Sequence, residues 1–162
     1  MAILEATLIR LERQLEALDV ILRDAKTELL DVRSTSGEWS ARENLAHLAR
    51  HAEVFLDRLN RILRENRPHL GTYRAETDPE WTVWSALPFI EALRKLRDAR
   101  RRLLVWVRSL NDDQARRTGI HPTFGEMSVP QWLEFFLLHE AHHLYVTMIR
   151  IGEARGMAQS RA

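Results

Sequence analysis

Apolar residues recur three and four positions apart from Ile3 to about Val32, at Leu4, Leu8, Leu11, Leu15, Leu18, Ile21, Leu22 and Leu29, with Arg, Glu and Asp between them. That spacing predicts a first amphipathic helix. The small polar run Arg33-Ser34-Thr35-Ser36-Gly37 interrupts it, and Ser40 followed three residues later by Glu43 has the spacing of a reciprocal capping box. A second helix is therefore expected from about Ala41, through Leu45, Leu48, Phe55, Leu56, Leu59 and Leu63, to Asn66, where Arg67-Pro68 stops it. The stretch from Pro68 to Leu87 lacks sustained periodicity and reads as a long connection with room for a short helix. Pro88 suits the first turn of a third helix, which runs through Ile90, Leu93, Leu96, Leu103, Leu104 and Val107 to Asn111-Asp112-Asp113. Thr118 to Met127 reads as a second ordered loop. Ser128, Pro130 and Gln131 then open a fourth helix through Trp132, Phe135, Phe136, Leu138, Leu144, Val146 and Ile149 to about Gly152. Four amphipathic helices with two longer connections are most simply buried as an all-α four-helix bundle. At 162 residues, a single helical domain spanning 1–162 is expected.

Charge adds little to this picture. Lys plus Arg (24) nearly cancels Asp plus Glu (23), so no global field points to nucleic acid or to an anionic membrane. The run from Arg94 to Arg102 is interrupted by Asp98 and preceded by Glu91, and reads as a solvated helix face. The absence of cysteine excludes thiolate nucleophiles, disulfides, iron–sulfur clusters and Cys-type zinc sites. The first residues lack the pattern of a signal peptide and no apolar stretch reaches membrane-spanning length, so a cytoplasmic protein is expected.

Histidine carries the chemistry. His139 and His143 stand four apart in the fourth helix, and His47 and His51 stand four apart in the second. That separation places two side chains on nearly one helical face, about 5–6 Å apart at Cβ, within reach of one metal ion. His139 and His143 share their face with Phe135, Phe136 and Val146, whereas His142 is rotated by about 100° and is expected in solvent. A lone histidine on an apolar face is more often a hydrogen-bonded core residue. A pair joined by a third on another core helix favours a metal site built from His47, His139 and His143. His51 is either a partner of the ligands or a surface residue, and His69 and His121 lie in connections and are not assigned to the metal.

The segment Gly37-Glu38-Trp39-Ser40-Ala41-Arg42-Glu43-Asn44-Leu45-Ala46-His47-Leu48 resembles the start of the second helix in the DinB/YfiT-like superfamily. Thr118-Gly119-Ile120-His121-Pro122-Thr123-Phe124-Gly125, followed by His139-Glu140-Ala141-His142-His143, resembles its second signature. The resemblance implies a four-helix bundle, often a homodimer, with a divalent metal held by one histidine of the second helix and two of the last, here His47, His139 and His143. It also implies metal-dependent hydrolases or transferases that activate small thiol cofactors. Many members carry Asp after the first histidine of the last helix and Gln three residues after the second, where this chain has Glu140 and Val146.

Three neutral imidazoles leave a divalent ion its full charge and an open position, suited to a water of lowered pKa or a thiolate. Zinc or nickel suits such ligands best, with iron or manganese compatible. The leading expectation is an enzyme acting on a small-molecule substrate by activating a water or a low-molecular-weight thiol, with thiol-S-transfer slightly ahead of hydrolysis. Glu43, one turn before His47, could hydrogen-bond the far nitrogen of that imidazole, against its simpler reading as half of the capping box. Glu140 is turned about 100° from His139, toward a neighbouring helix or solvent. A di-iron bundle would need several inward carboxylates, and only Glu140-x-x-His143 has the spacing. The non-enzymatic alternative is a stress-related bundle with a structural or vestigial metal site and a protein-interaction surface around Trp81, Trp84 and the third helix.

Overall fold

The computed structural model describes residues 3–160. In chain order the helices are α1 (Glu5–Arg13), α2 (Ala17–Ile21), α3 (Thr27–Leu30), α4 (Ala41–Arg64), α5 (Trp81–Ser85), α6 (Phe89–Arg108), α7 (Asp112–Ala115) and α8 (Val129–Gln159), with strands β1 (Thr118–His121) and β2 (Gly125–Ser128) before the last. The architecture is the expected four-helix bundle. Its four long members are the α1–α2 rod, α4, α6 and α8, and α4 lies between α6 and α8.

The first helix is not continuous to Val32. The rod tightens into a 3₁₀ turn at Gln14–Glu16, ends near Leu22, and resumes only as the four-residue α3. Through Thr7, Leu11, Leu15 and Leu18 the buried positions keep a helical stripe. Beyond it, Leu30 is buried in a separate cluster with Ala41 and Ile151, and the chain leaves the rod to carry it there. Alternation of Leu and charged residues cannot reveal such a change of partner, because both clusters satisfy the same period. The loop from Thr118 to Met127 is also more regular than expected. It is an antiparallel hairpin pairing Thr118 with Ser128 and His121 with Gly125, and the Gly125 φ of 71° turns the chain. Gly119 lets the hairpin lie against the end of α4, since a Cβ there would stand 2.9 Å from Ile62 Cγ1. The last helix continues past Gly152 to Gln159, and Pro88 sits at the N-cap of α6, just outside the first turn.

The starts of the two site-bearing helices follow the sequence. Ser40 Oγ accepts from the Glu43 N–H at 3.2 Å and the Glu43 carboxylate accepts from the Ser40 N–H at 2.8 Å. At α8, Gln131 Oε1 accepts from the Ser128 N–H at 2.8 Å and from its hydroxyl at 3.1 Å.

The interior also holds a charge pair that the pattern concealed. Arg100 of α6, placed by its arginine-rich surroundings on a solvated face, is buried, and so is Glu140 of α8. Their side chains pair directly. Arg100 Nη1 also donates to the Leu11 carbonyl at 2.7 Å, and Gln14 Nε2 donates to Glu140 Oε1 at 2.9 Å and to the Leu137 carbonyl at 3.0 Å. Three of the four long helices thus meet at one polar knot. Breaking a buried pair from one side strands a charge, whereas replacing both partners with apolar groups removes the desolvation cost as well. Arg100→Met alone should lower stability by about 3–5 kcal/mol, and Arg100→Met/Glu140→Leu should recover most of that loss. Equilibrium urea unfolding of the two variants measures the difference.

Candidate metal centre

Seven residues after its Ser40 cap, α4 presents His47 toward α8, and α8 answers with His139 and His143. One donor nitrogen from each of the three lies within 4.8 Å of the others. His47 Nε2 and His139 Nε2 are 3.3 Å apart. Two nitrogens each 2.0–2.1 Å from a tetrahedral ion would be separated by about 3.3 Å, so this spacing is already that of a ligand pair.

Asn44 settles the third donor. Its Nδ2 donates to the Ser40 carbonyl at 2.9 Å and to the Trp39 carbonyl at 3.4 Å, which turns Oδ1 toward His143. The His143 Nδ1 lies 2.9 Å from that oxygen and must carry the hydrogen. Nε2 of His143 is left with its lone pair. A ligand histidine whose other nitrogen is held by an amide or carboxylate is the usual arrangement at metal sites. The sequence reading offered this task to Glu43. Its carboxylate is instead engaged by Ser40 and Arg33, as the capping-box reading has it, and it makes no hydrogen bond to His47. Asn44 stands three residues before His47, next to it on the helix surface, and that spacing was the available signal.

Electrostatics keep the imidazoles neutral. His47 is pulled down to about 3 by burial and then by His143. His139 falls to about 3 through burial and then His47, and His143 to about 3 through burial and then His139. Nδ1 of His47 and Nδ1 of His139 are buried without a hydrogen-bond partner in the described structure. The donor set therefore suits a divalent cation: three uncharged nitrogens, convergent, with one tautomer fixed.

The fourth histidine of the two pairs is neither at the surface nor among the convergent donors. His51 is buried beneath the group, its ring centroid 3.9 Å from that of His139 and its plane within 8° of Phe136. His142 is exposed as expected, and so is His69. His121 is buried and structural, its Nδ1 accepting from the Thr123 and Phe124 N–H groups at 3.1 and 3.2 Å to close the hairpin turn. Glu140 faces its neighbouring helices through the Arg100 pair. Around His47 stands an aromatic wall: Trp39 at 5.0 Å between centroids, Tyr73 at 5.7 Å and Trp81 at 6.1 Å. Tyr73 is held by its hydroxyl, which donates to Asp78 at 3.1 Å, and Asp78 is in turn gripped by Arg50. A cleft of about 460 Å³ between Trp39, Asn44, Val146 and Arg150 opens onto His143.

Comparison with known proteins bears on the family and the fold. The family model of the DinB superfamily matches residues 10–146. A relative from Oceanobacillus iheyensis, named "Putative metal-dependent hydrolase OB0782", is 29% identical over 130 residues, which are 75% of this chain and 70% of the relative. Among solved structures, YfiT from Bacillus subtilis, described as "a probable metal-dependent hydrolase with an unusual four-helix bundle topology", superposes with a TM-score of 0.77 at 22% identity, over 94% of this chain and 87% of that one. The four-helix bundle protein TT2238 gives a TM-score of 0.62 at 28% identity, over 88% of this chain and 95% of its own. With the family model covering most of its length and the bundle shared with both solved structures, the chain belongs to the DinB superfamily.

Proposed function

We propose that His47, His139 and His143 hold a divalent metal ion and that the protein is a metal-dependent enzyme acting on a small molecule. The observation that carries this is the convergence of three neutral imidazole nitrogens, two of them 3.3 Å apart and the third tautomerically fixed by Asn44. The name of the Oceanobacillus relative points the same way. A divalent ion held by three uncharged ligands supplies a Lewis acid that lowers the pKa of water or of a thiol at its open position. Zinc or nickel fits imidazole donors best, and iron or manganese is compatible.

The chain's own residues prepare the place. Burial keeps all three imidazoles deprotonated, so no proton competes with the cation near neutral pH. Trp39, Trp81 and Tyr73 keep bulk water from the His47 side, and the cleft beside His143 leaves a route for the substrate. An open position on such an ion can serve hydrolysis or thiol transfer. With no cysteine in the chain, a sulfur nucleophile has to arrive as a low-molecular-weight thiol. Assays of the metal-loaded protein on an activated ester, and on an electrophile with and without added thiol, separate the two.

Protein purified without a nickel column or chelator should contain close to one divalent ion per chain by elemental analysis, and His139→Ala/His143→Ala should contain none. Wild-type protein that is metal-free and takes up neither zinc nor nickel would overturn the proposal. Asn44→Leu should weaken metal affinity about 10–100-fold, since it releases the His143 tautomer.

Protonation gives a further check on the metal-free protein. Each of the three histidines titrates near 6.5 when unfolded and at about 3 when folded, so between those values the unfolded chain binds the extra protons. Stability is fully present above 6.5 and is lost as pH falls toward 3, on the order of 1 kcal/mol per pH unit for each imidazole. Thermal unfolding of the chelated protein from pH 7.5 down to 5 should show a steadily falling midpoint.

A further inference from the structure

The last helix is apolar on two sides. Its inner side carries Trp132, Phe136 and Leu144 into the core. Its outer side carries a second row, Leu138, Ala141, Tyr145 and Met148, all exposed and spaced at alternating steps of three and four residues. That is the spacing of a seam on which another helix packs. Leu138 is 66%, Tyr145 58% and Met148 50% exposed. Isolated apolar residues are ordinary at a surface, but a continuous row of them in a chain with 29% charged residues is not. From Phe135 to Gly152 the helix has two charged residues, and neither stands in the row. Glu140 is buried, and Arg150 turns toward Glu38 in the cleft that opens onto His143.

The row has a hollow at one end and projecting side chains at the other. Beside Leu138 an apolar cavity of about 400 Å³ opens between Leu4, Phe124, Met127 and Phe135. Tyr145 and Met148 stand on the far side of Ala141. An antiparallel copy of the helix, turned about a two-fold axis at Ala141–His142, sets Tyr145 against the partner's Leu138 and Met148 against the partner's Phe135, at the rim of the cavity. Symmetry repeats each contact. Methionine adapts its shape to an irregular hollow. Ala141, the smallest side chain of the row, lies at the axis, where the two helices come closest. An isologous interface needs a face complementary to itself, and this row brings no charge to repel its own copy. From Gln131 to Gly152 the face is about 30 Å long. With Leu4 and Phe124 alongside it is about as wide as two packed helices, roughly 20 Å, which is of the order of the roughly 800 Å² per partner that a standard interface buries.

We propose that two copies of this chain pair through the outer face of α8, antiparallel about Ala141, each placing Met148 at the apolar cavity of the other. His142 stands beside Ala141 and also lines the cleft onto His143, so the pairing sets one edge of each cleft against the partner.

Sedimentation equilibrium of the full chain, over a concentration series reaching about 100 μM, tests the pairing. Wild type is expected at twice the 19.0 kDa of one chain. Ala141→Arg sets like charges against each other at the axis and should raise the dissociation constant about a hundredfold or more, with an unchanged circular dichroism spectrum. Val105→Glu, on the exposed side of α6, should leave the dimer intact. A wild type that stays monomeric throughout would overturn the proposal and leave the face to a different occupant. A dimer that survives Ala141→Arg would overturn it as well, since the copies would then meet elsewhere. The chain has no cysteine, so the thiol introduced by Ala141→Cys has only its copy in the partner to bond with. A disulfide-linked dimer on mild oxidation supports the axis, and a dimer that does not cross-link counts against it.

Discussion

The orientation of the last helix hangs on one buried ion pair. Glu140 must meet Arg100 inside the bundle, because either charge alone would be stranded there. With Glu140 turned toward α6 and the first rod, the residue before it is rotated about 100° and its side chain is delivered toward α4. His139 and, one turn on, His143 follow from that choice. Gln14 and the Leu11 carbonyl fix the same pair from the first rod, so an element that contributes none of the three histidines still helps to aim two of them.

On the other side of α8 the chemistry is reversed. Facing α6 are ions in a compensated knot, and facing α4 are neutral imidazoles that meet the histidines of α4 and, at His143, the ring of Trp39. Two acids near the cluster are drawn off by arginines at its margins: Glu43 into the cap of α4, Asp78 into the brace that holds Tyr73. Desolvation can then act on the histidines without opposition. A carboxylate beside them would have raised their pKa and supplied a competing counter-charge.

The long helices and the three convergent histidines were legible because both depend on local periodicity. Spacings of three and four residues place Leu45, Leu48, Phe55 and Leu59 on one side of α4, and the same arithmetic aligns His139 with His143. What escaped depends on partners distant in sequence. Arg100 sits among five other arginines between positions 94 and 108, and only the approach of Glu140, 40 residues away, distinguishes it from its neighbours. The break after α2 is set by where Leu30 finds Ala41 and Ile151. His51 could not be placed from its four-residue spacing to His47, because the depth of burial depends on Phe136 across the bundle. Asn44 was visible as a neighbour of His47 on the helix surface, and its actual partner, His143, lies 99 residues on.

The capping box at Ser40 and Glu43 fixes where α4 begins, and the seven residues from cap to His47 amount to about two turns. Length changes in the polar run before Ser40, or in the connection after Arg64, leave that phase untouched. One residue gained or lost between Ser40 and His47 would swing the imidazole about 100° around the helix and separate Asn44 from His143. Divergence in this protein is therefore free to accumulate as insertions in its loops, while the first two turns of α4 are held both to their number of residues and to the side chains of Glu43, Asn44 and His47.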